Sequence, residues 1–218
     1  MENPQAPEPA TRALRTVPRG AWIAGGAICG LAWSAALRGY MVELAGTEST
    51  FTWGGTFGAL LLPGALAGGL LGWAEHLRRT GGRPRWRALA LAPLPLAVAP
   101  LLMPGALATL ATTGEGGGAL AVGLMGPVGG YALAGRGPLR VISQAAAGAF
   151  VIALGATAPV ITRTPLSDPR SAWNAVLVTA LYGVLALGCA IPFRGVVAPE
   201  PARDGAAPDR GRTTAVSP

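Results

Sequence analysis

Residues 171–193 read SAWNAVLVTALYGVLALGCAIPF, 23 positions without one Asp, Glu, Arg, Lys or His. An α-helix rises about 1.5 Å per residue and the hydrocarbon core of a bilayer is about 30 Å thick, so this stretch can reach from one face of a membrane to the other. Five more uncharged runs precede it: Val141 to Thr162, Gly116 to Gly135, Ala88 to Gly114, Ser49 to Ala74 and Gly20 to Leu37, of 22, 20, 27, 26 and 18 residues. All six are apolar or small on every side, as a lipid-embedded helix must be, whereas helices of a soluble domain keep one wet face. The expectation is an all-α polytopic membrane protein, a bundle of six transmembrane helices over residues 20–193. Residues 1–19 and 194–218, rich in Pro, Ala and charge with no apolar period, are expected to be disordered cytoplasmic tails.

The 17 basic side chains are all Arg, which together with the Ala and Gly excess points to a GC-rich bacterial genome. A net charge of +7 would suggest nucleic acid in a soluble protein. Here the arginines fall between spans, where they orient the chain, and the nucleic-acid reading drops out. With the N-terminus inside, 14 Arg lie on the inner side and only Arg38, Arg163 and Arg170 outside, giving an N-in, C-in protein of a bacterial inner membrane. The rival at the first span is a secretory signal cleaved after Ser34-Ala35-Ala36, but the run is long for a signal and its Gly26-x-x-x-Gly30 spacing suits a packed helix. Gly64, Gly68 and Gly72, and Gly126 and Gly130, repeat that spacing and are read as bundle contacts, one of which could serve a homo-oligomer. Cys29 and Cys189 fall at different depths, so no disulfide is expected and both read as buried packing residues.

The inventory for chemistry is thin. No span carries an ionisable residue away from its ends, where Arg38, Glu75 and His76 can snorkel, so ion coupling lacks its usual signature. A single His excludes the common zinc motifs, and no nucleophile elbow, P-loop or dinucleotide fingerprint occurs. Glu75-His76 followed by Arg78-Arg79 is similar to part of a CAAX-type intramembrane protease, but the paired glutamates and further histidines are missing. No catalytic residue, metal or cofactor is therefore assigned. The string Leu-Leu-x-Pro-Gly-Ala-Leu-Ala at residues 60–67 and 101–108 occupies unlike settings in the threaded chain and reads as coincidence. Pro93, Pro95, Pro100 and Pro104 should kink or break the third span. Ser, Thr and Asn concentrate in the outer halves of the spans, as in a wet pocket open to the exterior or as Thr side chains bonding back to their own helix carbonyls; the second is the expectation.

Two stretches are candidate sites. The outer one runs from Arg38 to Phe57 and includes Arg38, Tyr40, Glu43, Thr52, Trp53 and Thr56. Its plain reading is an interfacial belt, with Tyr40 and Trp53 at headgroup level. Its elements Arg38-Gly39-Tyr40-Met41 and Phe51-Thr52-Trp53-Gly54-Gly55-Thr56 resemble a pattern of uncharacterised actinobacterial multi-pass membrane proteins. That resemblance implies an actinobacterial inner-membrane protein and brings no established activity with it. The inner stretch places Arg78, Arg79, Arg83, Arg85 and Arg87 beside Trp86, expected at the interface, where anionic lipid headgroups are attracted by about 1 kcal/mol per basic residue. The functional expectation is a non-catalytic structural or accessory component that binds membrane lipid or a protein partner. The alternative is a small permease or sensor with an outward-facing pocket for a neutral ligand.

Overall fold

The computed structural model describes residues 17–46, 49–113 and 117–196, and every regular element among them is helical. The two tails lie almost entirely outside the described residues. Helix α1, Arg19–Ala45, starts after the extended Pro18 and stops at Gly46, whose φ of 54° suits a residue without Cβ. A π-helical segment, Trp53–Leu61, is capped by Thr52, whose side chain accepts from the Gly55 amide at 3.0 Å. It runs directly into α2, Leu62–Arg79. The change from π to α coiling falls beside Pro63, which has no N–H to give to either ladder. A 3-10 turn, Trp86–Leu91, leads to α3, Leu94–Leu101, and α4, Ala106–Thr113. Then follow α5, Gly117–Ala134, α6, Pro138–Thr162, and α7, Pro169–Cys189, which a 3-10 turn, Ile191–Phe193, extends.

Four of these stretches are long and apolar enough to cross a membrane: Arg19–Ala45, Trp53–Arg79, Pro138–Thr162 and Pro169–Phe193. The proline-rich third run is indeed broken. Its helices α3 and α4 meet at 103° around Pro104 and Gly105, and only as a bent pair do they count as a fifth span. The apolar part of α5, Leu120–Ala134, is shorter than the other spans.

Burial separates central from peripheral helices. The most apolar windows of α1 and α6 are each only 6% buried, against 39% for the span ending in α2 and 44% for that beginning in α7. Ile28, Ile152 and Val160 stand fully on the outer surface of the bundle. In water such surfaces would drive association; in hydrocarbon they cost nothing.

Small residues let the backbones close up, as their spacing suggested. A Cβ at Gly26 would collide with the Gly68 carbonyl, one at Gly30 with that of Gly64, and one at Gly72 with that of Trp22. Helices α1 and α2 therefore pack antiparallel at backbone contact. Gly126 and Gly130 on α5 likewise admit Leu185 and Cys189 of α7. The Tyr182 hydroxyl donates to the Met125 carbonyl at 3.2 Å across the same pair.

Candidate functional site

The outer stretch does not converge. The Arg38 guanidinium donates to Ser49 Oγ at 3.1 Å and to the Thr50 carbonyl at 2.6 Å, and lies 4.2 Å over the Phe51 ring, so it fastens the loop that enters the second span. Glu43 pairs instead with Arg170 at the start of α7, at 3.1 Å. Thr52 is engaged as a helix cap, and Thr56 is buried within the π-helical segment. Trp53 is 82% exposed and touches Phe57, with ring centroids 4.7 Å apart. Tyr40 departs from the interfacial reading. It is buried with Val178 and Leu181, with Leu154 of α6 packed alongside, because its side chain leaves α1 on the face turned toward α6 and α7.

Three of the outer hydroxyl groups bond back to their own helix, whereas Ser34 Oγ and Asn174 Oδ1 are buried with no partner among the described residues. Thr112 donates to the Ala108 carbonyl, Thr157 to that of Leu154 and Thr162 to that of Ala158. These back-bonds spend hydroxyls that a wet exterior pocket would have used.

At the opposite end, α1 begins beside the end of α2. Glu75 binds Arg78 through both carboxylate oxygens, at 2.7 Å each, and also receives the Nε of Arg79. The Arg79 guanidinium lies 4.8 Å over the Trp22 ring. Arg83, Arg85 and Arg87 are exposed, with Arg85 in the left-handed region at φ 63°. Trp86 is not interfacial as expected: it is buried against Ala74 and Leu77, with Ile191 beside it, and so pins the loop under the bundle.

Between these ends lies a feature that the sequence reading missed, a groove of about 560 Å³. Its floor is α2, from Gly64 to Glu75. One wall is α1, where Ala21, Gly25 and Cys29 face the opening; Cys29 is thus exposed rather than buried. The other wall is the last two turns of α7, through Val184 and Gly188. Trp33 closes the groove toward the outer end, its indole N–H donating to the Leu181 carbonyl at 2.8 Å. The available signal was the run of small residues at Ala21, Gly25 and Cys29, which continues one face of α1. Nothing in the local sequence says that α7 stands opposite. Among the described residues no three His, Cys, Asp or Glu side chains gather as a metal site would require. No protein-family model, curated protein or solved structure matches the chain.

Proposed function

We propose that this is a multi-pass protein of a bacterial inner membrane, actinobacterial by its Arg38 to Thr56 pattern, crossing six times with both ends in the cytoplasm. It serves there as a non-catalytic component that binds anionic lipid or a protein partner. The observation that carries this reading is the sorting of arginines between the two ends of the bundle. Nine described arginines stand at the end where α1 begins and α2 stops: Arg19, Arg78 and Arg79, the exposed Arg83, Arg85 and Arg87, and Arg136, Arg140 and Arg194. Three, Arg38, Arg163 and Arg170, stand at the other. Such an imbalance orients inner-membrane proteins with the basic side in the cytoplasm.

The two crossings that are not single long helices have support in the path of the chain. Trp86 packs at the basic end, whereas Met103, in the bend after α3, lies where a Cβ on Gly54 would meet it at 3.4 Å, beside the start of the second span. The turn and α3 thus carry the chain from one end to the other. Helix α5 carries it back with 18 residues, roughly 27 Å at 1.5 Å each. The non-catalytic role rests on the engagement of the acids: Glu43 and Glu75 are ion-paired, and Asp168 caps α7.

Reporter fusions test the threading. Those after Arg87, Arg136 and Arg194 should report cytoplasm, and those near Glu48, Glu115 and Asp168 the exterior. An exterior C-terminus overturns the six-span reading. Copurification from native membranes, read by mass spectrometry, should retain lipid or a protein and no small polar solute.

A further inference from the structure

The groove between α1, α2 and α7 has dimensions that select among its possible occupants. It runs from Val17, just ahead of α1, to Trp33, and its helical part from Arg19 rises roughly 21 Å at 1.5 Å per residue. A volume of about 560 Å³ over that length makes it a narrow channel. An α-helix with side chains is about 10–12 Å wide, so it could seat only one face on this open groove and could not enter it. A single alkyl chain, whose atoms approach their neighbours at about 4 Å, can. Apart from Glu75 at its mouth, the Cys29 thiol and the indole N–H of the two tryptophans, the lining is hydrocarbon and backbone, and the Trp33 indole is already bonded.

The mouth supplies the other half of the recognition. Arg78 and Arg79 share the single carboxylate of Glu75, which leaves one positive charge over. Arg79 gives its Nε to Glu75 while its two terminal NH₂ groups have no hydrogen-bond partner among the described residues. Its guanidinium is held on Trp22, a residue of the groove wall. A phosphate at the head of an alkyl chain meets these donors at the depth where the chain enters. We propose that the groove holds one acyl chain of an anionic phospholipid, with its phosphate at Arg79. The choice of the cytoplasmic leaflet as its source rests on the N-in threading; the site itself does not.

The test uses the full chain in mild detergent with dioleoyl phosphatidylglycerol or dioleoyl phosphatidylcholine added, and counts retained lipid by native mass spectrometry. One phosphatidylglycerol should be held in preference to phosphatidylcholine. Gly25→Leu plugs the groove at a position where a Cβ meets nothing within 4 Å, and displacing even two methylenes should lower retention about tenfold. Gly39→Leu, equally open but outside the groove, should retain lipid like the parent. A maleimide label on exposed Cys29, added to the already folded parent while Cys189 stays buried, should block retention without any substitution. Arg79→Gln should lower phosphatidylglycerol retention about fivefold and phosphatidylcholine retention by less, narrowing the preference between the two. Glycerol phosphate, a headgroup without chains, should not compete. Undiminished retention in Gly25→Leu and in the Cys29-labelled chain overturns the proposal, as does equal loss in Gly39→Leu or displacement by glycerol phosphate. None of these outcomes bears on the reporter fusions, so groove and threading fail separately.

Discussion

At the residue scale, glycine in this protein acts through the space it leaves. Gly26, Gly30, Gly68 and Gly72 sit where a Cβ would enter a facing backbone, and Gly64 where it would strike the Ser34 side chain, so their substitution forces α1 away from α2. Gly68→Leu should lower stability by about 1–3 kcal/mol, the usual cost of overpacking, and shift the melting midpoint accordingly. Gly39→Leu, with open space around it, should melt at or slightly above the parent temperature, since Leu is the better helix former. Equal midpoints for the two variants would refute close approach at Gly68. The spacing of these glycines was legible, but their partners were not, because a notch in one helix is defined by the backbone that enters it. The burial of Tyr40 has the same origin. An aromatic residue near the end of an uncharged run reads as an interfacial anchor unless a second helix is known to cover it, and here α6 and α7 do.

At the scale of elements, the entry to the second span is held by two devices from one short stretch. Arg38 binds the incoming loop, and Thr52 caps the π-helical segment. Thr52→Ala should cost about 1 kcal/mol, the typical loss of an N-cap, while Thr52→Ser should keep most of it. Amide exchange at Gly55 should rise in the Ala variant; unchanged protection would exclude the cap. The break in the third run was legible from its prolines, because the missing N–H is a local property. The 103° angle was not, since it depends on where α3 meets the π-helical segment and α5. Pi coiling over Trp53–Leu61 was also outside what the apolar pattern could tell, because a run that is apolar or small on every side has no period to distinguish one winding from the other.

At the scale of the whole molecule, the described acids are committed before any transported ion could use them. Glu43 is paired with Arg170, Glu75 with Arg78 and Arg79, and Asp168 with the amide of Arg170. A coupled carrier needs a group at depth that takes up and releases its ion. Proteoliposomes are therefore expected to show no proton- or sodium-driven solute uptake, and Glu43→Gln should change nothing in that assay. Reproducible uptake that an uncoupler dissipates, lost in Glu43→Gln, would replace the accessory role with transport. Glu75→Gln should instead reduce stability, by about 1–3 kcal/mol, because it leaves charged donors with a neutral acceptor. Its melting midpoint should fall below that of Glu43→Gln, whose pair is more exposed.

The sequence by itself determined that the chain is helical, where its uncharged runs lie, that the third is interrupted, and how its arginines divide along the chain. Each of these follows from composition along one dimension, because a helix satisfies its own backbone and needs no distant partner to do so. The tertiary structure decided which helices are central, which aromatic residues are covered, and that α7 stands across from α1 to make a groove with Arg79 at its mouth. Trp33 and Leu181, whose hydrogen bond closes that groove, lie 148 residues apart. Helices surrounded by apolar side chains have many faces that could pack equally well, and only the mutual fit of small residues and backbone selects among them.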